Sequence, residues 1–532
     1  MDREFNLLDE PWIRVMLPDF TQKELSLTDV LLKAHEIRDL AGELPAQDTA
    51  VLRLLLAVLH TVFSRSDENG DAYEIEEPDE ALRRWGALWN EGSFPEIPVR
   101  RYLEEQRGRF WLFDPERPFF QVPGIAGTDY TAAKLNGALS ESNNKTRLFP
   151  PCAGEGKAAL SYAEAARWLL FVNGYDDTSA KPKQKGQPSP GAGWLGKIGA
   201  VCAVGENLFE TLMLNLVLLR DRHSCWEEGG PVWERETPKA GERTEIPLPD
   251  NQPELLTLQS RRLLLKREGG AVTGYTLLGG DFFQRENAFT EQMTVWRTVT
   301  DKNKQITGFQ PKRHDKSRQM WRDFAAFAAQ GEGKKRPGVV EWAAVLKEGG
   351  LLPDDRLLRL RITGVQYGDK DFFITDEFSD SLEFNAGLLT EAGDVWQELA
   401  LIEIELCGNV AWIVGNLADD LEKASGGGGS AADRATEQFY YRLDVPFREW
   451  LRTLDPGQGT PARDERRKAW RSKVKTIAAA LGKEYMAQAG EAAFAGRMLT
   501  EDGKERRYSA PEAFNFFIYR LNKIINGRDA EQ

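Results

Sequence analysis

The sequence predicts an α+β fold: a large mixed α/β N-terminal domain over residues 1–388, followed by a four-helix bundle over residues 389–532. Three observations predict it. Short strand-like runs alternate with amphipathic helical runs in the first part, without the regular βαβ rhythm of a doubly wound sheet. In the last part the apolar residues step by three and four, the period of a helix with one buried face. The composition, 41% apolar and 29% charged, is that of a chain that packs cores, so a disordered or fibrous chain is excluded.

Asp48 is placed to cap a helix through Val51, Leu52, Leu55, Leu59 and Val62. Residues 80–89, 164–172 and 208–219 read as further helices. Residues 261–266 and 272–278, joined at Gly269-Gly270, read as a hairpin. Residues 359–365 and 372–375 flank Tyr367-Gly368-Asp369-Lys370, a second hairpin with a turn-prone tip. In the last part, Leu399, Ile402, Leu406, Val410, Ile413, Leu417 and Leu421 line one helix, which stops at the flexible tract Ser425 to Ser430. A second helix covers about residues 433–454 and bends at Pro446. Thr460-Pro461 opens a third, with proline at the favoured first position. Ser509-Ala510-Pro511-Glu512 has capping-box spacing and opens a fourth.

Only four histidines are present, His35, His60, His223 and His314, and no H-E-x-x-H or G-x-S-x-G motif. His60 lies in an apolar helical run, where a core role is expected. His223 and Cys225 have no neighbouring third group to complete a catalytic set. The four cysteines, Cys152, Cys202, Cys225 and Cys407, are scattered and form no C-x-x-C pair, so neither a metal site nor a disulfide framework is expected. The longest apolar-rich run, residues 51–63, holds Arg53 and His60 and is short of the ~20 residues a bilayer requires. The opening Met1-Asp2-Arg3-Glu4 lacks the pattern of a signal peptide. A cytoplasmic chain with no membrane partner is the expectation.

Gly191-Ala192-Gly193-Trp194-Leu195-Gly196-Lys197 matches G-x-x-x-x-G-K, but Ile198 stands where a Mg²⁺-holding hydroxyl is needed. The proline- and lysine-rich residues 181–190 before it are no buried strand. A nucleotide hydrolase is therefore disfavoured, though glycines still let backbone N–H groups approach a polyanion and Lys197 adds charge. The net charge is −14, from 69 Lys+Arg against 83 Asp+Glu, yet the cations cluster. Residues 178–205 contain Lys181, Lys183, Lys185 and Lys197 and no acid. Lys302, Lys304, Lys312, Arg313, Lys316, Arg318 and Arg322 form a second basic stretch. Arg463, Arg467, Arg471 and Lys475 recur every four residues, a cationic row on a helix and a footprint for phosphates.

The opening Phe5-Asn6-Leu7-Leu8-Asp9-Glu10-Pro11-Trp12-Ile13-Arg14-Val15 resembles the N-terminal signature of the CasA family, the large subunits of type I-E CRISPR Cascade complexes. The likeness continues in order through Arg117-Pro118-Phe119-Phe120-Gln121, Gln259-Ser260-Arg261-Arg262, Val272-Thr273-Gly274, Met293-Thr294-Val295-Trp296-Arg297, Pro311 to His314, Trp321-Arg322, Phe439-Tyr440 and Pro446-Phe447. The resemblance implies a DNA-recognition subunit that is not an enzyme; some members of the family use a cysteine-bound zinc ion, but the cysteine pairs it needs are absent here, so no metal or cofactor is expected. Such a subunit reads the protospacer-adjacent motif (PAM) of double-stranded target DNA from the minor groove. It then wedges the strands apart so that crRNA can pair. Its implied partners are the other Cascade subunits, crRNA, target DNA and the helicase-nuclease. The resemblance places the DNA-contacting glycine loop at Gly191, Ala192 and Gly193. It places a groove-contacting cation at Lys266 or Arg267, and a loop reaching the PAM at residues 143–151, with Phe149 as its apolar contact. The wedge hairpin falls on residues 362–378. Asp371 stands there where many relatives carry glutamine, and Gln366 or Lys370 is left to insert beside Gly368 and Asp369. The cationic row Arg463, Arg467, Arg471 and Lys475 would hold the displaced strand. The competing reading is a degenerate phosphate-loop or acid-pair hydrolase or nuclease.

Overall fold

The computed structural model describes residues 3–137, 158–177, 191–236, 245–331, 333–501 and 504–526. The chain divides into two compact units. The first comprises Met1–Arg318, Ala329–Leu352 and Leu358–Ser381; the second comprises Gln319–Ala328, Pro353–Leu357 and Leu382–Gln532.

The first unit is built around helix α1, Pro45–Arg65, which is buried on every face over most of its length. Its start differs from the expected one. Leu44 is the extended cap residue and Pro45 occupies the first turn, where its missing N–H costs nothing. Asp48 lies a turn further in, and its carboxylate accepts from the Gly42 N–H at 2.8 Å. Burial pushes that carboxyl up to about 7. The expectation that no segment is apolar enough to span a membrane is also corrected. α1, at 21 residues and mean hydropathy 1.3, passes that test by length and composition. It is 94% buried in the unit, as a core helix is. Its buried basic residues are accommodated inside: Arg53 meets Glu291, and His60 is held neutral because burial pushes its pKa down to about 3.

Helix α2, Tyr162–Tyr175, opens with a capping box between Ser161 and Glu164 and is buried along nearly its whole length. The named strand pairs of this unit are antiparallel. One sheet sets strand Thr128–Thr131 beside the hairpin formed by β2 (Arg261–Glu268) and β3 (Ala271–Gly279). That hairpin turns at Gly269 and Gly270, both at positive φ, as the sequence suggests. In the other, β1 (Ala200–Val204) pairs with β4 (Leu357–Tyr367), and β5 (Ile374–Asn385) flanks β4. The helix expected over residues 208–219 is shorter, Leu208–Asn215. Asn215 explains the stop. Its side chain takes both backbone groups of Ala203 and turns the chain toward strand Leu219–Asp221. Helix α3, Gly338–Glu348, completes the elements used below.

The second unit packs four long helices: α4 (Asp394–Ser425), α5 (Ala432–Arg452), α6 (Thr460–Gln488) and α7 (Ala510–Ile525). Aromatic rings fill its core, with Trp450 stacked on Trp470 at 5.3 Å and Trp321 stacked on Phe447 at 4.2 Å. The tract Ser425 to Ser430, expected as a flexible break, is a bonded cap. Gly426 takes a positive φ, its N–H and that of Gly427 return to the Glu422 carbonyl, and the Ser430 N–H reaches the Glu422 carboxylate at 2.6 Å. A two-stranded hairpin, β6 (Arg497–Glu501) and β7 (Lys504–Tyr508), lies between α6 and α7 and has no counterpart in the sequence reading.

Asp48 generates a pH test. The unfolded carboxyl releases its proton near 3.8 and the folded one near 7. The folded state therefore binds the extra proton between those values, and its stability from this group is lost as pH rises through that window. Asp48→Asn keeps the acceptor for Gly42 and removes the titration. Its melting temperature should gain on the wild type as pH rises from about 5 to about 8. Parallel curves in a melting series would contradict this.

Candidate nucleic-acid interface

The glycine loop is seated on a floor of buried charge. The Gly193 N–H donates to the Asp176 carbonyl at 2.9 Å, at the C-terminal end of α2. Arg261, at the start of β2, donates to the Asp176 carboxylate at 2.5 Å and to the Gly191 carbonyl at 2.5 Å. The Trp194 N–H meets the Ser260 hydroxyl at 3.1 Å, and its indole N–H meets the Glu291 carboxylate at 2.7 Å. The glycines are not equivalent. A Cβ on Gly193 would lie 2.2 Å from the Gly174 carbonyl oxygen, and one on Gly196 2.0 Å from the Tyr367 hydroxyl. Gly191, at φ +65, has open space around it, the Lys197 side chain being 3.8 Å away. Gly193 and Gly196 thus serve close packing, Ala192 is buried between them, and Gly191 with the half-buried Lys197 makes the approachable edge. The loop then makes a single 3-10 turn, Leu195–Lys197, and enters β1. A phosphate loop must open a helix whose N–H groups face the phosphates, so the hydrolase reading loses its geometry here.

The second element is the tip between β4 and β5. Gly368 donates to the Phe373 carbonyl at 2.7 Å, and the Phe373 ring occupies the space a Gly368 Cβ would need. Lys370 and Asp371 both adopt positive φ, +57 and +59, which turns the chain sharply. Gln366, Asp369 and Lys370 are exposed, and so is the Phe372 ring, at 41%.

Arg313 joins the two elements. Its Nε donates to the Gly196 carbonyl at 2.6 Å, and its two terminal nitrogens grip the Asp371 carboxylate at 2.8 and 2.9 Å. Its guanidinium lies 4.8 Å from the Tyr367 ring centre, and the Tyr367 hydroxyl donates to the Tyr175 carbonyl at 2.5 Å. The Asp371 carboxylate is therefore turned onto a fixed cation. Sequence reasoning placed Arg313 in a basic stretch but missed this role, because nothing local links it to a residue 58 positions away. It also passed over Phe372, whose exposure only the tip geometry reveals.

Other expected residues fall elsewhere. Lys266 pairs with Asp129 at 2.6 Å, which also accepts from Thr276. Arg267 pairs with Glu4 and lies 4.5 Å over the Phe113 ring. Both sit where the β2–β3 register shifts. Phe149 and Lys181, Lys183 and Lys185 lie outside the described residues. On α6 the row of four does not act as one face. Arg471 donates to Glu403 at 2.8 and 3.1 Å, and Arg467 approaches the same carboxylate at 3.4 Å. Glu403 is fully buried. Arg463 is half-buried beside Asp464, whereas Lys475, with Lys468 and Lys473, is exposed. The exposed cations in and beside the row are therefore Arg467, Lys468, Lys473 and Lys475, while Arg463 and Arg471 are half-buried.

Cys202 and Cys407 are buried and Cys225 is half-buried, all as free thiols, with burial pushing the Cys202 thiol up to about 11. Among the described residues no group of three or more His, Cys, Asp or Glu could hold a metal ion.

A glycine loop and a hairpin tip fastened on a rigid α+β body define the class of protein. The family model for CRISPR-associated protein Cse1 matches residues 6–481. The chain is 31% identical over 440 residues to a CRISPR-associated protein CasA/Cse1 of Thermus thermophilus, covering 79% of this chain and 78% of that protein. Its fold superposes on Cse1 of Thermobifida fusca with TM-score 0.83 at 31% identity, over 98% of each chain. For Cse1 of Acidimicrobium ferrooxidans the TM-score is 0.78 at 25% identity, over 99% of each. A chain of a CRISPR RNA-guided surveillance complex shares the fold at 17% identity, with TM-score 0.70, over 99% of this chain and 100% of that one. This chain belongs to the Cse1 family.

The bundle cations give a stability test. Arg471→Ala leaves the buried Glu403 carboxylate with Arg467 alone and should cost about 3 kcal/mol. Lys475→Ala should stay within about 0.5 kcal/mol of the wild type. Equal losses in a urea titration would contradict the division.

Proposed function

We propose that this chain is the large subunit of a type I-E CRISPR surveillance complex, acting by recognition rather than catalysis. It reads the PAM of duplex DNA from the minor groove, opens the adjacent step, and helps recruit the helicase-nuclease that follows. One observation carries the reading: Arg313 holds the glycine loop and the hairpin tip as a single rigid edge. The family membership supports the assembly with crRNA and the other subunits.

The mechanism follows from the edge. Minor-groove base edges are degenerate, so a backbone-lined loop at Gly191 tolerates several related motifs. Lys197, Lys312 and Lys370 supply attraction to phosphates, which is independent of sequence. Phe372 is the apolar group at the tip and enters between base pairs, with Gln366 and Lys370 beside it. Unstacking costs a few kcal/mol, offset by backbone contacts and by guide pairing as it advances. Exposed Lys468, Lys473 and Lys475 on α6 hold the displaced strand.

Two substitutions in the assembled complex test this. Gly191→Asp fits the open, left-handed position without a clash and adds an anion at the groove edge. It should weaken PAM-duplex binding by about tenfold or more in a shift assay while assembly is intact. Phe372→Ala should leave initial duplex binding within about threefold and slow R-loop formation by about tenfold. Unchanged binding in the first and unchanged opening in the second would refute the roles.

A further inference from the structure

A cavity in the first unit lies away from the glycine loop and the tip. It encloses about 550 Å³, a volume in the range of small-molecule sites. Its walls are the turn between strands Leu219–Asp221 and Ser224–Cys225, helix α3, the residues Gln330, Gly331, Lys334, Lys335 and Arg336, and residues between Phe289 and Trp296. Three features of this lining point to one chemistry.

The first is an unbalanced charge. Arg220, Arg222, His223, Lys334, Lys335 and Arg336 line the cavity against Asp221, Glu291 and Glu341. The acids are already engaged. Glu291 is held by Arg53 and Trp194. Glu341 takes Arg222, Arg336 and Gln330, and Arg222 also reaches Glu348, so the cations left for a ligand are Arg220, Lys334 and Lys335. Asp221 accepts from the His223 N–H at 2.8 Å. Arg220 and Lys334 are exposed and have no acidic partner among the described residues. The second is aromatic surface. Phe289, 36% exposed, meets Trp296 edge-to-face at 5.2 Å, and the Lys335 ammonium lies 4.7 Å from the Phe289 ring centre. The third is an orphan donor. Trp342 is 98% buried and lines the cavity, yet its indole N–H has no acceptor among the described residues. A buried N–H without an acceptor is unfavourable, so an acceptor that a ligand brings within its reach relieves that cost.

Cations at the rim, a flat apolar wall and a buried donor match a ligand with a phosphate, a planar ring and ring acceptors. We propose that this cavity binds one nucleotide unit: the base against Phe289 and Trp296 with an acceptor toward Trp342, the phosphate at Arg220, Lys334 and Lys335. The unit is either a free mononucleotide or a nucleotide at the end of a strand. Neither source depends on the reading of the glycine loop.

Titration calorimetry on the full chain tests the assignment, with adenosine 5′-monophosphate, adenosine, inorganic phosphate and a 5′-phosphorylated trinucleotide as probes. Adenosine 5′-monophosphate should bind one per chain, with adenosine and phosphate each weaker by about tenfold or more. A trinucleotide tighter than the mononucleotide assigns the site to a strand end, and equal affinity assigns it to the free nucleotide. Lys334→Glu with Lys335→Glu, both on the surface, should lower affinity about tenfold with the melting temperature unchanged. Trp342→Phe should lower it about fivefold, the loss of one hydrogen bond. The inference is overturned if neither nucleotide probe binds saturably, or if the lysine pair can be reversed without effect.

Discussion

The buried carboxylate of Glu291 is the point on which the first unit depends. It accepts four N–H groups: two from Arg53 in α1 at 2.8 and 3.0 Å, the Met293 backbone at 3.0 Å, and the Trp194 indole at 2.7 Å. A buried charge is tolerated only when its lone pairs are filled, and here they are filled from three separate stretches of chain. Losing Arg53 leaves an uncompensated buried ion, and losing the Trp194 or Met293 N–H leaves one of its lone pairs unfilled. The core helix, the glycine loop and the segment leading to Trp296 are thereby held in one arrangement. Arg261 repeats the device beneath Gly191 and Asp176 with opposite charge.

On this floor a loop rich in glycine is stiff rather than loose. Gly193 and Gly196 are glycine because a carbonyl and a tyrosine hydroxyl occupy the space of their side chains. Only Gly191 keeps the freedom usually credited to such loops. Arg313 then extends the rigid body to the hairpin tip. Its bidentate grip on Asp371 pairs that carboxylate, and it leaves Phe372 and Lys370 outermost. In the proposed function, recognition and strand opening would then share one mechanical part.

The architecture was legible because it rests on local patterns. The three-and-four spacing from Leu399 to Leu421, the proline after Thr460 and the glycine pair at 269–270 each carry their own signal. The likeness to the CasA family was legible through the order of weak motifs along the chain. What escaped was set by distant partners. Asp48 resembles a cap but lies half-buried in the first turn of the helix, where it accepts from the Gly42 N–H. The residues after Asn215 resemble helix, but one side chain bonded to Ala203 ends it. The four-residue row on α6 resembles a single cationic face, yet Glu403, about 70 positions earlier, draws Arg471 inward and takes the edge of the exposed Arg467. Arg313 and Phe372 share this fate: their roles exist only once β4 and β5 bring residue 371 to the loop.

The direct measurement is a double-mutant cycle on PAM-duplex affinity in the assembled complex, using Arg313→Ala, Asp371→Ala and the pair. If Arg313 presents the tip through Asp371, the two losses overlap, with a coupling of about 1 kcal/mol or more. Losses that add within about 0.3 kcal/mol would mean that loop and tip act independently, and the account of a single rigid edge would be wrong.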